Sequence, residues 1–141
     1  MTQQVVHGGC LCGAVRLAAA LPPNWVAHCH CSMCRRAHGA GFVTWAGFPR
    51  AAITVERGEE LLTRFKSSAM ATRSFCSRCG SMLFFESGNW PDEKHVALGC
   101  LDSAAGLQPS AHAYWGSRAP WADWSGTALP TVEPPDHSDQ R

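Results

Sequence analysis

The stretch 28–36 reads His-Cys-His-Cys-Ser-Met-Cys-Arg-Arg and holds three of the eight cysteines in this 141-residue chain. Cys29, Cys31 and Cys34 lie too close together to be three independent thiols of a hydrophobic core. Cysteines at such spacings can turn their sulfurs towards one point, where a soft divalent cation such as zinc binds. The stretch therefore predicts a metal site with three protein ligands and an open fourth position.

Two further cysteine pairs lie outside this stretch: Cys10 with Cys12, and Cys76 with Cys79. Glycines beside both pairs permit the sharp turns that would let the paired sulfurs face one ion. Together the pairs supply the four ligands of a closed, structural zinc site, whereas an open site can do chemistry. Four thiolates around a divalent ion leave a negative charge, which we expect Arg73 and Arg78 to offset in part.

Other assignments of these cysteines remain open at this stage. Cys10 and Cys12 could join the central three, with Cys76 and Cys79 placed elsewhere. A thioredoxin-like redox role for Cys76 and Cys79 lacks the βαβ context that it needs. Disulfides are disfavoured because cysteines two or three residues apart close strained loops.

The composition excludes several classes of protein. The formal net charge is +1, and no run of Lys or Arg suggests a nucleic-acid partner. No apolar stretch approaches the roughly 20 residues of a membrane span. The first residues lack the basic start and apolar run of a signal peptide, so we predict a cytoplasmic protein, where reduced cysteines favour metal binding.

Short alternating segments separated by Gly, Pro and charged residues predict a mainly β domain. The predicted strands cover residues 5–9, 14–20, 25–29, 42–46, 53–56, 61–66, 72–75, 82–86 and 95–101. A short helix is predicted over 34–38, ending before Gly39. We expect one domain over 1–130 and a flexible tail over 131–141. The aromatic segment over 111–115, with Trp121 and Trp124, is expected to pack over the sheets, where its tryptophans either belong to the core or form part of a pocket wall.

Three histidines lie close to the central cysteines. If the chain is extended there, His28 and His30 point away from the neighbouring sulfurs and are supporting or surface groups rather than ligands. His38 follows Cys34 by four residues, so it is either a fourth ligand or a hydrogen-bonding or exposed histidine. All three are candidate proton carriers. Cys100 has apolar neighbours and is predicted to be a buried free thiol.

The donor set of the central site points to sulfur chemistry. A zinc ion held by three thiolates is electron-rich and is a poorer Lewis acid for making hydroxide than one held by histidines. It is well suited to accept the sulfur of a thiol substrate, which then becomes a nucleophilic thiolate near neutral pH. Arg35 and Arg36 could attract a carboxylated thiol or simply be solvated.

The order and spacing of six motifs resemble those of the glutathione-dependent formaldehyde-activating enzyme family, which includes the centromere protein V domain. They are Gly-Gly-Cys-Leu-Cys-Gly-Ala-Val-Arg at 8–16, Cys-His-Cys-Ser-Met-Cys-Arg-Arg at 29–36, Gly-Ala-Gly-Phe at 39–42, Arg-Ser-Phe-Cys-Ser-Arg-Cys-Gly at 73–80, Gly-Cys-Leu-Asp at 99–102 and Ala-Pro-Trp at 119–121. The resemblance implies a β-tent fold, in which antiparallel sheets are organised around zinc. One departure is Cys100, where the family has a small residue other than cysteine.

The resemblance also implies roles for the cysteines and a reaction. Two zinc ions would bind per chain: a structural one at Cys10, Cys12, Cys76 and Cys79, and a catalytic, glutathione-responsive one at Cys29, Cys31 and Cys34. The implied enzyme is a carbon–sulfur lyase of the S-(hydroxymethyl)glutathione synthase type, acting on glutathione or another thiol and formaldehyde or another small carbonyl compound. The alternative is a zinc-stabilised binding module without turnover, as the centromere relative suggests.

Overall fold

Ten β-strands and one α-helix make up the regular structure of residues 3–122 and 129–130, which the computed structural model describes. The strands are β1 (Val5–Gly9), β2 (Arg16–Ala20), β3 (Trp25–Cys29), β4 (Val43–Pro49), β5 (Ile53–Arg57), β6 (Leu62–Lys66), β7 (Ala71–Cys76), β8 (Met82–Ser87), β9 (Glu93–Ala97) and β10 (His112–Ala113), and the helix is α1 (Ser32–His38). The prediction of a mainly β chain is confirmed. Trp124 and the predicted tail, 131–141, lie outside the described residues.

The strands form two sheets. The smaller sheet has the order β1-β2-β5, and the larger has the order β10-β3-β4-β9-β8-β7-β6. Neighbouring strands run antiparallel except β10, which pairs parallel with β3. Within the described residues, no helix is long and apolar enough to cross a membrane.

The larger sheet has two differently used faces. One face packs against the smaller sheet and forms the main core, with Leu17 of β2 buried against Phe48, Phe84 and Val96 of the larger sheet. Because side chains alternate along a strand, the opposite face carries Trp45 and its neighbours, which form a second cluster. One face of the larger sheet therefore belongs to the packed core, and the opposite face is available for a site.

The predicted elements differ from the observed ones mainly at their ends. The predicted strand over 95–101 is wrong beyond Ala97, because the chain turns into a short 3-10 segment over Leu98–Cys100. The helix begins at Ser32 rather than at Cys34, because the side chain of Cys31 caps it and accepts a hydrogen bond from the Cys34 N–H. Gly39 ends the helix in the left-handed region at φ 60°.

Candidate metal centres

The cysteine sulfurs gather into two separate groups. Those of Cys10, Cys12, Cys76 and Cys79 lie within 4.8 Å of one another, and so do those of Cys29, Cys31 and Cys34. We call them the four-cysteine cluster and the three-cysteine cluster. The alternative grouping, in which Cys10 and Cys12 join the central three, is wrong. All eight cysteines are free, so the disulfide alternative has no support either.

The four-cysteine cluster joins two turns that are distant in sequence. Cys10 and Cys12 follow β1, whereas Cys76 ends β7 and Cys79 lies in the turn before β8. The turns are fastened to each other by the Leu11 N–H, which donates to Ser81 Oγ at 2.9 Å. The sulfurs also have neutral partners, since the Val15 N–H lies 3.2 Å from Cys10 Sγ and Ser81 Oγ lies 3.2 Å from Cys79 Sγ.

Hydrogen bonding prepares Cys79 to ionise. Burial raises the pKa of its thiol, but contacts with Ser81, the Cys12 backbone and Cys76 outweigh burial and lower that pKa to about 6. Hydrogen bonds to a thiolate favour the charged form, which is the form that binds a metal. The local chemistry of this turn therefore suits a metal ligand.

The three-cysteine cluster is built by one short piece of chain. Cys29 is the last residue of β3, Cys31 caps α1, and Cys34 lies in the first turn of the helix. Cys31 Sγ accepts the Cys34 N–H at 3.3 Å. Contacts with Cys29 and then Cys34 lower the pKa of the Cys31 thiol to about 2, while contacts with Cys31 and then Cys34, together with burial, raise the pKa of Cys29. The ionisation of one thiol in this cluster therefore depends on its contacts with the others.

Arg73 lies at the three-cysteine cluster and not at the four-cysteine cluster, which corrects the sequence prediction. Its Nη1 and Nη2 are 3.6 and 3.7 Å from Cys34 Sγ, and its side chain is 4% exposed. Residues three apart in a strand face opposite sides of the sheet, so Arg73 and Cys76 of β7 point to opposite faces. Arg78, the other predicted partner, is exposed.

The guanidinium of Arg73 is an unusual buried cation. Among the described residues no carboxylate pairs with it, and its Nε has no hydrogen-bond partner. It lies over the ring of Phe85, 5.0 Å from the centroid, and Trp45 Nε1 also donates to Cys34 Sγ at 3.4 Å. Cys34 Sγ therefore receives N–H donors from two side chains, one of which carries a positive charge.

None of the three histidines belongs to the gathered sulfur groups. His28 Nδ1 lies 2.8 Å from Thr44 Oγ1, and His30 is buried with its Nε2 2.9 Å from His112 Nδ1. His38 packs edge-on against Trp45. Burial, followed by the charge of Arg73, lowers the pKa of His38 to about 4, so its imidazole is neutral near pH 7. The ring nitrogens of His38 do not join the three sulfurs within 4.8 Å, so the structure does not group His38 with them as a fourth ligand.

Cys100 is half-buried rather than fully buried. Its Sγ donates to the Met82 carbonyl at 3.4 Å, and it belongs to neither sulfur group. Burial, with smaller contributions from Cys10 and Cys79, raises its pKa to about 11. The thiol is therefore protonated at neutral pH, as expected of a structural cysteine.

A cavity of about 560 Å³ opens beside the three-cysteine cluster, and Cys29, Cys31 and Cys34 line it. Sequence reasoning missed most of the other walls, which include Trp25, Phe85, Trp90 and His95. The expected contribution of the aromatic segment after residue 110 is observed in part, since Tyr114 lines the cavity but Trp121 does not. Arg35 and Arg36 do not line it, and Arg35 Nε instead donates to the His30 carbonyl at 3.4 Å.

One glycine of β4, Gly47, could have indicated from the sequence that an aromatic side chain lies against this strand. A side chain on Gly47 would place its Cβ 2.3 Å from Cε2 of the Trp25 indole. Gly47 pairs with Trp25 in the neighbouring strand, so the indole lies against the bare backbone. Glycine inside a strand often marks such a close approach.

Comparison with known proteins identifies the family. The family described as glutathione-dependent formaldehyde-activating enzyme matches residues 5–117. The chain belongs to this family. The match includes both cysteine clusters and the strands that carry them.

The names of two similar proteins agree with this assignment, and one solved structure has a similar fold. A protein of Halomonas elongata, which carries the provisional name of a glutathione-dependent formaldehyde-activating enzyme, is 31% identical over 70% of this chain and 67% of its own length. An uncharacterised lyase of Schizosaccharomyces pombe is 30% identical, over 56% of each chain. The crystal structure of a Rhodobacter sphaeroides protein superposes with a TM-score of 0.61 at 28% identity, over 75% of this chain and 98% of that one.

The sulfur groups of this family member fit zinc. Four sulfurs arranged tetrahedrally about zinc at about 2.3 Å lie roughly 3.8 Å apart. In the four-cysteine cluster Cys10 Sγ and Cys12 Sγ are 3.6 Å apart, and Cys12 Sγ and Cys76 Sγ are 3.9 Å apart. Thiolate ligands suit zinc and other soft cations better than magnesium or calcium. Both groups could therefore hold a metal ion of this kind.

Proposed function

We propose that this protein is a zinc-dependent carbon–sulfur lyase that makes or breaks the adduct of glutathione with a small carbonyl compound, such as S-hydroxymethylglutathione. The observation that carries the proposal is that three clustered thiols, with a buried cation beside them, line a cavity. Membership of the family and the names of the relatives support the same chemistry.

The proposal assigns two zinc ions per chain. Cys10, Cys12, Cys76 and Cys79 would hold a structural ion within a single domain over 1–130. Cys29, Cys31 and Cys34 would hold the second ion, leaving one position for the thiol. Such sites need reduced cysteines, which supports a cytoplasmic location.

The reaction conserves electrons. In the direction of synthesis, the thiol sulfur bonds to the carbonyl carbon, the carbon–oxygen π bond opens, and the thiol proton ends on the new hydroxyl oxygen. When bound, zinc lowers the pKa of the thiol and so supplies a thiolate near neutral pH. Cleavage is the reverse of these steps.

The chain itself contributes position and charge. Arg73 and Trp45 hold the Cys34 sulfur through three N–H contacts. The positive charge of Arg73 offsets part of the negative charge of three thiolates, in a place where water is largely excluded. The cavity beside the cluster gives the carbonyl compound a partly desolvated approach.

Cobalt substitution tests the proposal. With cobalt in both clusters, millimolar glutathione should change the sulfur-to-metal charge-transfer spectrum of the three-cysteine cluster. Cys31→Ser should abolish this response while the four-cysteine cluster keeps its own spectrum. Formation of S-hydroxymethylglutathione is followed by NMR on the zinc protein. If glutathione and other small thiols change neither the spectrum nor the metal content, the proposed lyase activity is wrong. The alternative, a zinc-stabilised binding module without turnover, is then favoured.

A further inference from the structure

The cavity beside the three-cysteine cluster has two chemically different ends. At one end lie the three cysteines, and Arg73 lies between the two ends, with its Nη atoms at Cys34 Sγ and its guanidinium 5.0 Å from the centroid of the Phe85 ring. At the other end, the aromatic end, lie Trp25, Phe85, Trp90 and His95. The reaction proposed above uses only the first end, so the second needs its own explanation.

Strand register separates the two ends. In β4, Val43 pairs with Cys29, whereas Gly47 pairs with Trp25 on one side and with His95 on the other. Four residues of extended chain span about 13 Å. A formaldehyde molecule reacting at the cysteines would leave the aromatic end unfilled.

The aromatic end is fixed by packing and hydrogen bonds. The His95 ring stacks on Phe85 with their centroids 5.5 Å apart, and Trp25 meets it edge-on at 4.6 Å. Glu93 fixes the rings of Trp25 and His95 by hydrogen bonding, since its Oε1 lies 3.2 Å from Trp25 Nε1 and 3.0 Å from His95 Nε2. The ring faces are therefore held in place before any ligand arrives.

Trp90 lies at the outer rim of the aromatic end. Its ring centroid lies 5.7 Å from that of His95, and its side chain remains 45% exposed. Met33, Met70 and Tyr114 also line the cavity and are likewise exposed to a large extent. The mouth of the cavity is thus apolar, which is typical of a site that receives an apolar ligand.

The charges of glutathione fit the aromatic end poorly. No Asp, Glu or Lys lines the cavity in the described part of the chain, and its one arginine, Arg73, is 4% exposed, stacks on Phe85 and directs both Nη atoms to Cys34 Sγ. The remaining polar walls are neutral serines and one asparagine, with His95 kept neutral because burial lowers its pKa. The two carboxylates and the ammonium group of glutathione would lose their hydration against Trp25, Trp90 and His95, where the nearest charge, Arg73, already contacts Cys34 Sγ, and this loss is costly.

We propose that the aromatic end is a binding subsite for an aromatic or bulky apolar group, and that in the proposed reaction this group is the substituent of the carbonyl compound. The preferred substrate is then an aldehyde with such a substituent, or its thiol adduct, rather than formaldehyde. This substrate assignment rests on the proposed function, whereas the subsite itself does not. The bond changes are those already given, with hydrogen on the carbonyl carbon replaced by the larger substituent.

Two aldehydes and an unreactive probe test the inference. Phenylacetaldehyde and formaldehyde are compared as substrates with glutathione on the zinc protein, and binding of 2-phenylethanol is measured by calorimetry. The variant is Trp90→Ala, which removes a half-exposed wall of the subsite and leaves the core intact. The matched control is Trp121→Ala, since Trp121 is 71% exposed and does not line the cavity.

Phenylacetaldehyde should have the higher kcat/KM in the wild type. Trp90→Ala should lower the kcat/KM for phenylacetaldehyde about tenfold and weaken the binding of 2-phenylethanol about tenfold. The reason is that contact with one aromatic side chain changes an equilibrium constant by a factor on the order of ten. The kcat/KM for formaldehyde should change less than twofold, and Trp121→Ala should change neither. The inference is overturned if Trp90→Ala affects both aldehydes equally, or if the wild type does not bind 2-phenylethanol.

Failure of the proposed function would look different. If neither aldehyde reacts but 2-phenylethanol binds and Trp90→Ala weakens its binding, the subsite stands and the lyase reaction is wrong. If formaldehyde reacts and phenylacetaldehyde does not, the reaction stands and the substrate assignment is wrong.

Discussion

The four-cysteine and three-cysteine clusters use the same ligand atoms in different surroundings. The first joins turns far apart in the chain, with Cys12 Sγ and Cys76 Sγ in contact across 64 residues, and the Val15 N–H and Ser81 hydroxyl beside its sulfurs are neutral. The second comes from one short segment and has the buried cation Arg73 at Cys34. The first ties two distant turns together, and the second places a buried cation and three thiols beside a cavity.

The difference shows what makes a cysteine cluster structural. A closed set of four ligands contributes to folding because it exists only when both turns meet. A local set of three contributes less, since the segment itself brings its ligands together. The charged donors beside Cys34 are then available to adjust the properties of a metal rather than to hold two parts of the chain.

The largest expected effect separates the two clusters by stability. Cys76→Ser should lower the free energy of unfolding by several kcal/mol, because it opens a site whose metal contributes on the order of 10 kcal/mol. Cys31→Ser should cost far less, since serine is itself a good helix N-cap and can accept the same Cys34 N–H. Thermal and denaturant unfolding of the metal-loaded variants measures both. Equal losses would contradict the division into a structural and a functional cluster.

A smaller effect is expected from the buried cation. Arg73→Met should weaken metal binding at the three-cysteine cluster by about ten- to a hundredfold, because it removes charged hydrogen bonds to Cys34 Sγ. Competition with a chromophoric chelator measures the affinity, with the four-cysteine cluster as an internal reference.

Arg78→Met is the matched control for this variant. Arg78 is exposed in the turn between Cys76 and Cys79, where it was predicted to offset the charge of four thiolates. Its removal should change neither affinity by more than about twofold, because exposed charges are screened. A selective loss at the four-cysteine cluster would restore the sequence prediction for Arg78.

The smallest effect is expected at Cys100, which packs against both hydrophobic clusters and belongs to neither sulfur group. Cys100→Ala should leave the content of both metals unchanged and cost about 1 kcal/mol of stability. Metal analysis and unfolding of the variant check both. Loss of one metal would make Cys100 a ligand and would remove the open position from the three-cysteine cluster.

The pH dependence of Cys100 gives a second measurement. Its pKa of about 11 lies above the value of an unfolded cysteine, so its contribution to stability is complete below about pH 8.5. That contribution is lost as the pH rises towards 11. In the folded protein the alkylation rate at this cysteine should increase throughout the same range, as measured by mass spectrometry.

The correct predictions came from local patterns in the sequence. The two cysteine groups and most strands depend on spacing and on the two-residue alternation, which are visible in the sequence. The strand predicted over 95–101 was too long because Leu98 and Leu101 continue an apolar run, although Gly99 interrupts it. The helix start was missed because cysteine is seldom an N-cap.

Tertiary contacts could not be predicted in the same way. Arg73 was assigned to the wrong cluster by closeness in sequence, although its odd separation from Cys76 in a strand already indicated the opposite face. Trp25 and His95 line one cavity because β3 and β9 both pair with β4, a strand order that the sequence does not state. Only the interior glycine of β4, Gly47, hinted at the indole beside it.

The long separation within the four-cysteine cluster also has a consequence for synthesis on the ribosome. Cys34 is made before Cys79, and at ordinary elongation rates the interval between them lasts about 2 to 9 s. During that time the nascent chain carries a complete three-cysteine segment but only half of the other ligand set. A metal ion captured during this interval would bind at the three-cysteine segment, where we expect it to contribute least to folding. The order of translation, rather than the order of affinity, would then decide which cluster binds a metal ion first.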